Sequence, residues 1–129
     1  MVRKLLMVDD DADDREVFQL AIADIDSNIQ LTFAHNGMDA LKQLEVYRPD
    51  AIFLDCLMPG MDGIECLTKL KSNKRTRQIP VVIYTGSLDK DENELVIRLG
   101  AFQLVRKSTQ FTQLRADVKD VIVILEKRV

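Results

Sequence analysis

Ala51-Ile52-Phe53-Leu54-Asp55 is an uninterrupted apolar run that stops on a carboxylate. Pro49, just upstream, biases its own predecessor away from helical geometry. A short continuous apolar run is what a strand buried on both faces presents. Three further runs share this form: Leu5-Leu6-Met7-Val8 leads into Asp9 and Asp10, Val81-Val82-Ile83-Tyr84 into Thr85, and Leu104-Val105-Arg106 into Lys107. As parallel strands, all would end along one edge of a sheet, where open parallel sheets bind ligands. Asp9, Asp10, Asp55, Thr85 and Lys107 would then converge. Carboxylates can hold a hard divalent cation, and a cation, a hydroxyl and a lysine can hold phosphate oxygens.

Helix-period segments separate the runs. Residues 13–25 carry Val17, Leu20, Ala21 and Ile25 at amphipathic spacing. Residues 31–34 form a short strand, and Met38, Leu41, Leu44 and Val46 or Tyr47 mark a second helix over residues 38–47, closed by Pro49. Pro59-Gly60-Met61-Asp62-Gly63 is a loop by composition. Asp62 and Glu65 have the spacing of a capping box for a helix through Leu70, with Ile64, Leu67 and Leu70 as its stripe. Residues 92–99 are helical with Gly100 placed as the cap, and residues 102–106 are the fifth strand. Phe111, Leu114, Val118, Val121, Ile122 and Leu125 mark a last helix running nearly to Val129. Such alternation predicts an α/β fold of five βα units, its parallel sheet covered by helices on both faces.

The 129 residues fit one domain, and at this length roughly two-thirds of the unfolded surface is buried without staples. Apolar residues at 47% and charged residues at 30% are ordinary for a globular protein. A formal net charge of −3 gives no drive toward nucleic acid or an anionic membrane. No apolar run approaches the roughly 20 residues of a membrane span, and the basic start meets Asp9 too early for a signal-peptide core. The expected location is the cytoplasm. Cys56 and Cys66 form no metal motif and read as reduced, buried small hydrophobes. The lesser reading makes Cys56, next to Asp55, a redox-sensitive neighbour of the site.

Taken together, Leu5-Leu6-Met7-Val8-Asp9-Asp10-Asp11, Phe53-Leu54-Asp55-Cys56-Leu57-Met58-Pro59-Gly60-Met61-Asp62-Gly63, Ile83-Tyr84-Thr85-Gly86 and Val105-Arg106-Lys107 resemble the receiver domain of two-component response regulators. The likeness covers essentially the whole chain. It implies a flavodoxin-like (βα)5 doubly wound sheet of strand order 2-1-3-4-5, with one receiver domain over residues 1–129 and no output domain. By this resemblance Asp55 is the phosphoacceptor, whose carboxylate attacks a donor phosphohistidine to form an acyl phosphate. The protein would assist its own phosphorylation and dephosphorylation without being a turnover enzyme. Both reactants are negative, so charge neutralisation is the main catalytic need. The resemblance assigns Asp10 and Asp55 as direct Mg²⁺ ligands, Asp9 as a ligand mainly through water, and the backbone carbonyl of Leu57 as a further ligand. It assigns Lys107 to a phosphate oxygen, Thr85 to a hydroxyl contact after phosphorylation, and backbone N–H groups around Leu57 and Gly86 to the phosphate cradle.

Unit charges ~4 Å apart repel by about 4 kcal/mol at an effective dielectric near 20. Three clustered carboxylates without a cation should therefore raise at least one pKa, and metal binding should weaken in acid. Taken singly, each residue has a plainer explanation. Asp11, Asp13 and Asp14 read as solvated residues at a helix start, favoured by the helix dipole. A lone Asp is more often a strand terminator, a lone Thr a turn residue and a lone Lys a solvated charge; the joint pattern reverses those odds. His35 follows the second strand, roughly 10 Å from Asp55 at ~4.8 Å per strand, and reads as a surface residue. Met7, Met38, Met58 and Met61 read as core or loop residues.

The chain departs from the family pattern in three ways. Ser108 stands where a proline usually follows the lysine, often through a cis bond. A cis bond before a non-proline residue costs about 3–4 kcal/mol, so either the bond is trans and the loop differs, or the strain is retained. Leu104 replaces the aromatic residue of a Thr-Tyr switch. Leu57 and Ser87 lie where side chains line the path of the hydrolytic water, and apolar Leu57 is expected to slow water attack. The partners implied are a sensor histidine kinase and a histidine phosphotransfer or effector protein, or a homodimer through the fourth helix, fifth strand and fifth helix. Val96, Leu99, Leu104 and Arg106 are candidates on that face, and no direct nucleic-acid or membrane contact is expected. The alternatives are a degenerate receiver that only binds protein, against which the intact Asp10, Asp55, Thr85 and Lys107 count, and a Mg-dependent Asp-nucleophile phosphatase of the haloacid-dehalogenase type. The latter needs an acid where Leu57 stands. A flavodoxin proper would need a Ser/Thr-rich phosphate loop after the first strand.

Overall fold

The computed structural model describes residues 1–58 and 60–128. Five strands alternate with five helices: β1 (Lys4–Val8), α1 (Ala12–Ile25), β2 (Gln30–Ala34), α2 (Gly37–Gln43), β3 (Ala51–Leu54), α3 (Gly63–Ser72), β4 (Val81–Thr85), α4 (Lys90–Arg98), β5 (Gln103–Arg106) and α5 (Phe111–Lys127). The strands form one parallel sheet in the order β2-β1-β3-β4-β5. This is the flavodoxin-like arrangement that the resemblance implied. Register pairs Val8 with both Ala34 and Leu54, and Thr85 with Arg106, so the strand ends lie side by side.

Side-chain alternation divides the core in two. Leu6, Val8, Ile52, Leu54, Val81 and Ile83 meet Ala40, Leu44, Cys66, Leu67, Leu70 and Val96 from α2, α3, α4 and the turn after α2. On the other face Leu5, Met7, Phe53, Val82, Tyr84 and Val105 meet Phe18 and Ile22 of α1 and Leu114, Val118, Val121 and Leu125 of α5. Both faces of the central strands are therefore covered, which is why their sequences are continuously apolar.

The helices correct several expectations. In α1 the buried face is Phe18, Ala21 and Ile22, whereas Val17 and Leu20 are exposed. Phe18 is the bulkiest apolar residue of the helix and settles its rotation by packing on Phe53 (4.9 Å between centroids) and Tyr84 (5.2 Å). The second helix stops at Gln43 rather than reaching Tyr47. Tight bonds from Glu45 N–H to Lys42 O and from Val46 N–H to Gln43 O end it well before Pro49. Val46 is exposed, and Tyr47 packs on the core instead. Met38 is neither core nor loop, because it stands on the open side of α2. Asp62 caps α3 by accepting the Glu65 N–H at 2.8 Å. The reciprocal capping box forms instead at α4, between Asp89 and Glu92, and starts that helix two residues earlier than the apolar spacing indicated. Gly100, at φ 107°, occupies the left-handed position after α4. Val129 lies outside the described residues, and so does Pro59 within its loop.

Candidate functional site

The sheet's hydrogen-bond ladder extends one residue past three strands. Asp9 N–H reaches Ala34 O (3.1 Å), Asp55 N–H reaches Val8 O (3.0 Å) and Lys107 N–H reaches Thr85 O (2.9 Å). These bonds fix the three side chains at the same edge. Asp9, Asp10 and Asp55 each offer a carboxylate oxygen, and the three oxygens lie within 4.8 Å of one another. Asp9 and Asp55 are buried and Asp10 is exposed. The Asp9 Oδ1 accepts the Asp11 N–H at 3.0 Å, and the Arg15 guanidinium donates to the Asp9 backbone carbonyl at 2.8 Å.

Lys107 supplies the compensating charge. Its Nζ donates to Asp9 Oδ2 (2.8 Å), Asp14 Oδ2 (2.8 Å) and Asp55 Oδ2 (3.3 Å), and lies 5.5 Å from the centre of the Tyr84 ring. Burial opposes charge on Lys107, but hydrogen bonds to Asp14 and Asp9 and the field of Asp55 hold its pKa above the ordinary lysine value. The Asp9 pKa is raised, as expected of one acid here, but mainly by burial. Lys107 and the Asp11 N–H pull it down, and the Asp55 charge is the smallest of these influences. Crowding is thus a minor cause, because Lys107 already neutralises part of the cluster. Burial likewise pushes the Cys56 thiol up to about 12 and the Cys66 thiol up to about 11. Both are free and buried, as their reading as small hydrophobes required.

The Thr85 hydroxyl is buried and finds no hydrogen-bond partner among the described residues. A buried unsatisfied donor costs about 1–3 kcal/mol unless something fills the space beside it. Leu57 joins the site through its N–H, which donates to Asp55 Oδ1 at 3.2 Å, while its side chain is 60% exposed. Its carbonyl accepts no hydrogen bond among the described residues. A Cβ on Gly86 would meet nothing within 4 Å, so open space lies on that side of Gly86. Gly63 has the opposite surroundings. A Cβ there would lie 2.4 Å from Cys56 Cα and 2.5 Å from Asp55 O, so only glycine lets α3 approach the Asp55 loop this closely.

The remaining expectations divide. His35 is on the surface. The Lys107–Ser108 bond is trans, and the Ser108 hydroxyl accepts the Gln110 N–H at 3.1 Å, which turns the chain into α5. Asp14 is not simply solvated, since it ion-pairs with Lys107. Sequence reasoning missed both Asp14 and Arg15. The available signal was helical spacing: Asp14 is four residues before Phe18, so the rotation that buries Phe18 turns Asp14 toward the sheet edge. Val96 is fully buried and cannot belong to an outer face. Ile97 is 49% exposed and borders a groove with Asn93, Arg98 and Leu104.

An open parallel sheet of this order, with acids, a hydroxyl and a lysine at its carboxyl edge, defines the receiver class of flavodoxin-like proteins. The chain belongs to the response regulator receiver domain family, whose model matches residues 5–119. It superposes on the phosphorylated cyanobacterial phytochrome response regulator RcpA with a TM-score of 0.90 at 27% identity, covering 100% of this chain and 97% of that one. Against the Mn(2+)-bound form of response regulator Rcp1 the TM-score is 0.83 at 26% identity, covering 92% and 91%. It is 31% identical over 122 residues to the phosphate regulon transcriptional regulatory protein PhoB of Escherichia coli (strain K12), covering 95% of this chain and 52% of PhoB. It is 32% identical over 114 residues to a probable cyclic di-GMP phosphodiesterase of Vibrio cholerae, covering 88% of this chain and 25% of that protein. The chain thus spans between about a quarter and about half of the curated relatives it matches. Among the described residues no helix is long and apolar enough to cross a membrane.

Proposed function

We propose that Asp55 accepts a phosphoryl group from a phosphohistidine of a sensor histidine kinase, and that the acyl phosphate switches partner binding. The observation that carries this reading is the Lys107 ammonium 3.3 Å from Asp55 Oδ2, beside the unpartnered Thr85 hydroxyl. An Asp55 oxygen attacks phosphorus, the phosphorus–nitrogen bond to the donor imidazole breaks, and the imidazole leaves with the electron pair. Lys107 offsets the charge gathering on the phosphoryl oxygens, and Thr85 gains the acceptor it lacks. The Leu57 N–H, already aimed at Asp55, and the N–H of Gly86 complete the cradle.

The donor set fits a hard cation, since Asp9, Asp10 and Asp55 all present carboxylate oxygens. These residues and the Leu57 carbonyl would hold Mg²⁺, which when bound supplies positive charge against the phosphoryl oxygens. One receiver unit over residues 1–129 is the proposed organisation, in keeping with the single sheet and its two helical layers. The proposed setting is the cytoplasm, where the two free cysteines would stay reduced. The protein is a phosphoacceptor rather than a turnover enzyme. Its output is proposed to be binding of an effector or histidine phosphotransfer protein, or pairing of two copies through α4, β5 and α5. Leu104, Leu99 and Arg106 remain candidates there, with Ile97 in place of Val96.

Incubation with a small acyl-phosphate donor and Mg²⁺, followed by intact mass measurement, tests the reading. Wild type should gain one phosphoryl group, and Asp55→Asn or wild type in EDTA should gain none. Equal uptake by Asp55→Asn would overturn it.

A further inference from the structure

Asp14 has no part in the phosphoacceptor chemistry, yet it holds Lys107 as closely as Asp9 does. The two Nζ–Oδ2 distances are both 2.8 Å, against 3.3 Å to Asp55. An ammonium has three N–H donors, and here each has a carboxylate. A phosphoryl oxygen on Asp55 can take one of these donors only if a carboxylate lets it go.

The three carboxylates differ in how readily they can do so. The Asp9 side chain is 0% exposed, so water cannot take the ammonium's place there. Asp55 carries the phosphoryl group itself and stays beside Lys107 whatever happens. The Asp14 side chain is 40% exposed, in the first turn of α1, so water can replace the ammonium there. Ion pairs that open to solvent are weak.

We propose that Asp14 is a positioning residue that holds the Lys107 ammonium in the unphosphorylated protein and is the carboxylate that the phosphoryl group displaces. The pair competes with phosphoryl binding, so its strength sets how firmly the site grips a phosphoryl oxygen. This inference rests on the reading of Asp55 as phosphoacceptor.

The test is calorimetric titration with beryllofluoride, a phosphoryl mimic, in Mg²⁺ for wild type, Asp14→Asn, Asp14→Glu and Asp13→Asn. Asp13 stands on the same turn, is exposed and is not among Lys107's carboxylate partners, so Asp13→Asn makes the same charge change without touching the pair. Asp14→Asn should bind about two- to fivefold more tightly than wild type. Asp14→Glu should restore the wild-type affinity, and Asp13→Asn should stay close to it. Equal effects of Asp13→Asn and Asp14→Asn would reduce Asp14 to bulk charge and overturn the inference, as would unchanged or weaker binding by Asp14→Asn. In either case, loss of binding by Asp55→Asn would leave the phosphoacceptor reading standing. A wild type that binds no beryllofluoride at all would overturn both.

Discussion

At Asp9 two effects oppose each other: a fully buried carboxylate loses its hydration, while the Lys107 ammonium 2.8 Å away offsets part of that loss. Burial prevails and the pKa rises. The folded protein therefore holds this proton more tightly than the unfolded chain does. The stabilising contribution is complete below the unfolded carboxylate pKa and is lost as pH rises through the raised folded value. In metal-free buffer, Asp9→Asn should accordingly remove this decline of stability with rising pH in the acid range, as followed by urea midpoints. A pH profile identical to wild type would contradict burial as the governing effect. Leu57 allows a second test at the same scale. Its N–H bonds Asp55 and its apolar side chain is 60% exposed, and the expectation to test is that it screens a phosphoryl group on Asp55 from water. Leu57→Asn should shorten the life of the acyl phosphate, and an unchanged decay rate would refute the screening. The meeting of Asp9, Asp10, Asp55 and Lys107 at one sheet edge was legible in the sequence because each follows a strand within two residues. Asp14 was not, because its role depends on how a helix is rotated, and one-dimensional spacing left two apolar faces to choose from.

Among the elements, α1 shows why strands were easier to read than helices. A strand buried on both faces presents a continuous apolar run, and any register keeps it buried. A helix must choose one face, and α1 offers Val17 and Leu20 as well as Phe18 and Ile22. Area decides: the Phe18 ring fills the space between Phe53 and Tyr84, and that placement also carries Asp14 and Arg15 to the site. Phe18→Ala should cost about 3–5 kcal/mol by denaturant unfolding, whereas Leu20→Ala, on the exposed side, should stay within about 0.5 kcal/mol. Comparable losses from the two would mean that the helix is rotated as its spacing first suggested. The early end of α2 was hidden for a related reason, since its last turn is closed by short local bonds rather than by Pro49.

Across the whole molecule, the βα alternation predicted a parallel sheet covered on both faces, while the strand order 2-1-3-4-5 came from the resemblance to receiver domains. The outer face did not follow, since exposure at α4 depends on packing: Val96 is buried while its neighbour Ile97 is open. A cation held at the acidic edge, as proposed, would bind with a pH-dependent affinity. Protons compete with a cation at Asp9, whose pKa burial raises. Mg²⁺ affinity measured by calorimetry should therefore fall as pH drops into the acid range, and a flat profile would count against a carboxylate site.

All of this turns on whether phosphorus bonds to one particular oxygen-bearing residue. Treating the protein with an acyl-phosphate donor and Mg²⁺, reducing the acyl phosphate with borohydride and mapping the reduced residue by peptide mass spectrometry tests that most directly. The account predicts reduction at Asp55 alone. Reduction at Asp9, Asp10 or Asp14, or none at all after phosphoryl uptake, would contradict it.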